Sequence, residues 1–117
     1  MQKKSILIVD DDDDIRHLLS YNLEKNGFYV ETAGNGKECL KKLKSKKPNL
    51  ILLDVMMPEM DGLQVCEKIK SEKENADILI CFLTARGEDY SQIAALEAGG
   101  DDYVTKPIKP KVLLSRI

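Results

Sequence analysis

The chain is punctuated by three uninterrupted apolar runs, Ile6-Leu7-Ile8-Val9, Leu50-Ile51-Leu52-Leu53 and Ile78-Leu79-Ile80-Cys81-Phe82-Leu83. Short runs without polar alternation are the pattern of strands buried on both faces of a sheet. After the first run the apolar period lengthens to that of a helix. Ile15, Leu18, Leu19 and Leu23 recur at helical offsets on one predicted face, with Asp13 as the expected N-cap and Gly27 as the stop. Tyr29 to Ala33 reads as a half-exposed strand. Gly34-Asn35-Gly36 then turns into a lysine-rich helix with Cys39, Leu40 and Leu43 inward. Its lysines read most simply as a solvated face. Gly62 opens a helix carrying Leu63, Cys66 and Ile69 toward the core, and Lys70 to Asn75 is a polar connection. A fourth helix is predicted over Asp89 to Ala98, a short strand over Tyr103 to Thr105, and a last helix from Pro110, a residue suited to a first helical turn.

Strands and helices thus alternate five times, with short connections and no internal repeat or low-complexity linker. Such alternation predicts an α/β fold: a parallel sheet with right-handed crossovers and helices on both faces. A length of 117 residues and 43% hydrophobic content fit one domain with one core over residues 1–117. The last helix has only about two turns before Ile117, short for covering a sheet face, so the sequence is expected to be a fragment of a longer protein. A net charge of -2 gives no overall basic excess toward nucleic acid or anionic lipid. Cys39, Cys66 and Cys81 lie in apolar patterns without metal-ligand spacing and read as small buried hydrophobes in a reducing cytosol. The amino terminus runs straight into a strand too short for a signal peptide or a membrane span, so a cytoplasmic location is expected.

Chemistry enters at the strand ends. The first run continues into five carboxylates, Asp10 to Asp14, and the second ends in Asp54. Capping a helix accounts for Asp12, Asp13 and Asp14 but poorly for Asp10 and Asp11. In a parallel sheet the carboxyl ends share one edge, so Asp10, Asp11, Asp54, Thr84 and Lys106 can converge. Three neighbouring carboxylates repel one another by several kcal/mol at an effective dielectric of about 20, unless protonated or neutralised. One lysine does not balance them. An all-oxygen cluster suits a hard divalent ion, magnesium being the usual choice beside phosphate and manganese the alternative. Lys106 and the Thr84 hydroxyl are then placed to hold phosphoryl oxygens, with Asp54 as nucleophile.

Four motifs carry a family resemblance: Ile6-Leu7-Ile8-Val9-Asp10-Asp11, Leu53-Asp54-Val55-Met56-Met57-Pro58-Glu59-Met60-Asp61-Gly62, Phe82-Leu83-Thr84-Ala85 and Asp101-Asp102-Tyr103-Val104-Thr105-Lys106-Pro107. In this order the chain resembles the receiver domain of two-component response regulators over essentially its whole length. The resemblance implies a flavodoxin-like (βα)5 doubly wound fold with strand order 2-1-3-4-5. It implies that Asp54 accepts a phosphoryl group from a phosphohistidine on a sensor histidine kinase or phosphotransfer protein. Magnesium would be bound by Asp11, Asp54 and the Met56 main-chain carbonyl, with Asp10 acting through a water. Lys106 would contact a phosphoryl oxygen, and its bond to Pro107 would be cis. Thr84 and Tyr103 would switch together, changing the surface of the fourth helix, fifth strand and fifth helix to control an output domain or partner.

The last motif, with Arg116, resembles the subgroup fused to winged-helix DNA-binding domains, in which charged pairs on that surface build a homodimer. Gln92 stands where a basic residue is common, Val112 where an acidic one is, and Ile108 where Phe is often seen. Dimerisation and the identity of the output, DNA-binding module or fused kinase or enzyme, therefore stay open. Of this domain itself neither nucleic-acid nor membrane binding is expected. A turnover phosphatase of the aspartate class carries a second Asp two residues after its nucleophile, where this chain has Met56. A flavodoxin-type binder needs a phosphate loop after the first strand, where five aspartates stand. The expectation is a signalling module, not an enzyme. His17 reads as solvent-facing, and Met56, Met57 and Met60 as packing and partner contacts.

Overall fold

The computed structural model describes residues 3–84, 99–106 and 108–116. The helix expected over 89–98, Gln92 and the Lys106–Pro107 bond fall outside them, as do the side chains of Val112 and Arg116. The apolar runs form β1 (Ser5–Val9), β3 (Leu50–Asp54) and β4 (Leu79–Thr84). Together with β2 (Tyr29–Ala33) and β5 (Asp102–Thr105) they make one parallel sheet of order β2-β1-β3-β4-β5, as the resemblance implied. The helices are α1 (Asp13–Lys25), α2 (Gly36–Ser45), α3 (Gly62–Lys70) and a last helix over Pro110–Arg116.

Successive strand residues face opposite sides, and both sides are apolar because both are covered. Leu7, Val9, Ile51, Leu53, Ile80 and Phe82 pack with Cys39, Leu43, Val65, Cys66 and Ile69 of α2 and α3. Ile6, Ile8, Leu52, Cys81 and Leu83 pack with Leu19 and Leu23 of α1 and Leu113 of the last helix. Each such aliphatic side chain contributes about 1.5–3 kcal/mol of burial. The three cysteines are buried within these layers. Burial pushes the Cys39 thiol up to about 12 and the Cys66 thiol up to about 11, so neither forms a thiolate at neutral pH. No helix among the described residues is long and apolar enough to cross a membrane.

Three local expectations are corrected. The N-cap of α1 is Asp12, not Asp13: its carboxylate accepts from the amides of Asp14 and Ile15. Leu18 is 49% exposed although it shares the helical period. At about 100° per residue it lies about 100° from the middle of the stripe formed by Ile15, Leu19 and Leu23, so it sits on the flank. The polar connection after α3 holds one turn of 3-10 helix, Lys73–Asn75, and buries Asn75, whose Nδ2 donates to the Ile69 carbonyl at 3.1 Å.

At the amino ends of the strands, side chains complete the sheet. Asn49 Oδ1 accepts from the Ser5 amide at 2.8 Å, and Asp101 Oδ2 from the Ile80 amide at 2.8 Å.

Candidate functional site

The strand register sets the opposite edge. Val9 is level with Leu53, Asp54 with Leu83, and Thr84 with Thr105. The residues that end β1, β3, β4 and β5 therefore emerge together at the carboxyl edge. Asp10 and Thr84 are fully buried, Asp54 is 3% exposed, and Asp11 stands at the surface. One carboxylate oxygen each from Asp10, Asp11 and Asp54 lies within 4.8 Å of the others. Lys106 Nζ is 3.2 Å from Asp54 Oδ1 and 3.3 Å from Asp10 Oδ2. The Lys106 amide donates to the Thr84 carbonyl at 2.6 Å, tying the lysine to the strand that carries the threonine.

Burial pushes the Asp54 carboxyl up to about 6; the Asp10 charge adds to this, and Lys106 and the Met56 amide oppose it. Asp10 is raised by burial too, against the Asp12 amide and Lys106. For Lys106 burial works against the charge, but Asp54 and Asp10 together outweigh it and hold the ammonium above its usual range. Two polar atoms are left over: Asp10 Oδ2 and Thr84 Oγ1 are buried and make no hydrogen bond. The lysine at ion-pair distance is the only neutralising contact of that aspartate oxygen among the described residues. Three carboxylates around one ammonium, all-oxygen and partly unpartnered, fit a hard divalent cation.

The loop after β3 is held tightly against Asp54. The Gly62 amide donates to the Val55 carbonyl at 2.9 Å, and a Cβ on Gly62 would stand 2.2 Å from the Asp54 carbonyl oxygen. Only glycine allows that approach. Asp61 and Gln64 then form a capping box that starts α3, which the Asp61-Gly62 pair did not by itself announce. In the loop between Asp54 and Gly62, Glu59 adopts φ +68°, a conformation costly for a side-chain-bearing residue. Met56 is exposed, its amide 3.4 Å from Asp54 Oδ1, while Met57 is buried.

Of the residues singled out in the sequence, Asp10, Asp11, Asp54 and Lys106 meet directly, and Thr84 ends the strand beside Asp54. Tyr103 is partly buried against the α2–α3 layer, level with Phe82. His17 is exposed, as expected. One residue was missed. Arg16 reaches from α1 to the Asp10 carbonyl through Nη1 and pairs with Asp13 through Nη2. The available signal was a lone cation three residues after Asp13, the spacing at which helical side chains meet.

The sequence pattern of the response regulator receiver domain matches residues 6–117. The chain belongs to that family. It is 46% identical over 114 residues to the alkaline phosphatase synthesis transcriptional regulatory protein PhoP of Bacillus subtilis, a match covering 97% of this chain and 47% of that protein. It is 43% identical to the transcriptional regulatory protein AfsQ1 of Streptomyces coelicolor, over 97% of this chain and 49% of that one. The chain spans about half the length of these curated relatives. Among solved structures, a putative response regulator from Chloroflexus aurantiacus superposes with a TM-score of 0.95 at 34% identity, covering 98% of this chain and 94% of that one. The signal receiver domain of a histidine kinase from Syntrophus aciditrophicus gives 0.89 at 37% identity, over 97% and 86% of the two chains. Receiver domains are phosphoacceptor signalling modules that generally bind magnesium at an acidic pocket, and this chain has a cluster of Asp10, Asp11 and Asp54.

Proposed function

We propose that Asp54 is the phosphoacceptor, taking its phosphoryl group from a phosphohistidine of a sensor histidine kinase or phosphotransfer protein. The observation that carries this reading is the meeting of Asp10, Asp11 and Asp54 within 4.8 Å beside a lysine 3.2 Å from Asp54 Oδ1. An Asp54 carboxylate oxygen bonds to phosphorus as the P–N bond breaks, and the imidazole nitrogen keeps the electron pair and takes a proton. Asp11, Asp54 and the Met56 main-chain carbonyl would hold magnesium, Asp10 acting through a water. The ion, when bound, supplies positive charge that neutralises the carboxylates and the transferring group. Lys106, freed from sharing two aspartates, holds one phosphoryl oxygen as a point charge. The Thr84 hydroxyl, buried without a hydrogen-bond partner, donates to another.

That new contact gives the phosphorylated state a differential stabilisation, which any two-state change requires. Tyr103, one strand away, is the aromatic proposed to turn with Thr84 and alter the output surface. The relatives that are transcriptional regulators support a DNA-binding output in the full-length protein. The likeness to the receiver of a histidine kinase keeps a kinase-fused arrangement as the second reading.

Incubation with magnesium and acetyl phosphate, followed by intact-mass measurement, tests the assignment. One phosphoryl group is expected per chain, none on Asp54→Asn, and at most slow release afterwards. Undiminished labelling of Asp54→Asn would remove Asp54 from its role. Many rapid turnovers of acetyl phosphate would instead favour a phosphatase.

A further inference from the structure

We infer that Arg16 is a positioning residue for the divalent-cation site, fixing the Asp10–Asp11 peptide so that Asp11 can meet Asp10 and Asp54. The inference rests on the reading of those acids as a cation site. Long side chains on a helix lean toward its amino end, so Arg16, in the first turn of α1, covers the β1–α1 loop. Its side chain is 19% exposed, and its planar fork is used on two partners, the Asp10 carbonyl and the Asp13 carboxylate. It lies against Gly34, where a Cβ would stand 3.4 Å from Nη1, about ordinary contact distance.

Asp10 is thereby held at every polar group but one. Its amide donates to the Ala33 carbonyl at 3.2 Å, its Oδ1 accepts from the Asp12 amide at 3.0 Å, and its carbonyl accepts from Arg16. The exception is Oδ2, which has no hydrogen bond and faces the Lys106 ammonium at 3.3 Å. With the carbonyl pinned, the peptide plane that leads into Asp11 cannot rotate. Asp11 is a surface residue whose carboxylate makes no hydrogen bond or ion pair among the described residues, so this plane fixes the backbone from which its side chain reaches the other acids. Partners that orient metal ligands in this way are typically worth 10–100-fold in affinity.

Electrostatics alone predicts the opposite sign. Arg16 is a cation beside an acidic cluster, and removing it would by charge alone tighten the binding of a second cation. Calorimetric titration of the chain with magnesium chloride separates the two. Arg16→Ala is expected to bind about tenfold more weakly than wild type, and Arg16→Lys, which keeps the charge but not the fork, to fall between. In acetyl phosphate labelling the half-saturating magnesium concentration should rise while the rate at saturating magnesium stays unchanged. Affinity equal to or tighter than wild type in Arg16→Ala, with Asp11→Ala still weakened, would overturn the role of Arg16 alone. No magnesium uptake by wild type would overturn the cation-site reading itself, and this inference with it. Should Arg16→Ala melt in chelator, Arg16→Lys decides: severalfold weaker binding supports the role, and unchanged binding overturns it.

Discussion

At the amino ends of the strands Asn49 and Asp101 each give a side-chain oxygen to a main-chain amide of a neighbouring segment, whereas at the carboxyl ends Asp10 Oδ2 and Thr84 Oγ1 are buried without a hydrogen bond. The same sheet supplies both edges, with equally apolar strands between them. One edge is complete as it stands; the other holds three carboxylates against one ammonium and becomes complete only with a ligand. Unsatisfied buried polar groups cost about 1–3 kcal/mol each, so the second edge is maintained at the expense of stability. Among the described residues one other buried side-chain atom lacks a hydrogen bond, Ser20 Oγ on α1, but it stands alone. The carboxyl edge gathers two such atoms with three carboxylates, and that clustering is what marks where to look for function.

The largest effect on this contrast is expected from Gly62→Ala. Its Cβ would meet the Asp54 carbonyl oxygen at 2.2 Å, forcing the β3–α3 loop outward at a cost of about 3 kcal/mol in denaturant unfolding. A loss below about 1 kcal/mol would show that the loop gives way freely.

Asp54→Asn should act in the other direction. The folded-state value of about 6 lies above the usual 3.8, so the folded chain holds this proton more tightly than the unfolded one. The associated stability is present below about pH 4 and lost as pH rises through 6. In chelator, Asp54→Asn should therefore match wild type near pH 4 and exceed it by about 2–3 kcal/mol near pH 8. A difference independent of pH would contradict the strained-carboxylate account.

At the satisfied edge, Asp101→Ala leaves the Ile80 amide without its side-chain acceptor. A loss of about 1–2 kcal/mol is expected in thermal or urea unfolding, with magnesium affinity unchanged. A change in that affinity would mean that the two edges are coupled. The smallest expected effect is Glu59→Gly, which relieves the φ of +68° and should stabilise by about 0.5–1 kcal/mol. Destabilisation there would show that the glutamate side chain contributes more than its backbone costs.

The strands and their convergence were legible because doubly buried parallel strands and strand-end carboxylates leave strong marks in sequence. Asp10, Asp54, Thr84 and Lys106 could be gathered from topology alone. The N-cap of α1 could not be assigned from a run of five identical aspartates, since only backbone direction distinguishes Asp12 from Asp13. Leu18 was misjudged because a period defines a stripe but not its width. The Arg16 pair with Asp13 was visible in the spacing, but its contact with Asp10 was not, because that partner is a main-chain carbonyl and main-chain partners carry no residue identity for a sequence to display.

One topological detail bears on how the molecule is made. Asp10, Asp11 and Asp54 all lie in the first half of the chain, on or beside the adjacent strands β1 and β3, while Lys106 follows β5 at the far edge. During synthesis from the amino terminus, any partial sheet that contains β1 and β3 already has its full set of negative charges but not the lysine that pairs with Asp10 and Asp54. Of the pocket's groups the ribosome delivers the ammonium last, so until then the nascent pocket has Arg16 beside it but no cation paired with the Asp10 and Asp54 carboxylates except ions from solution.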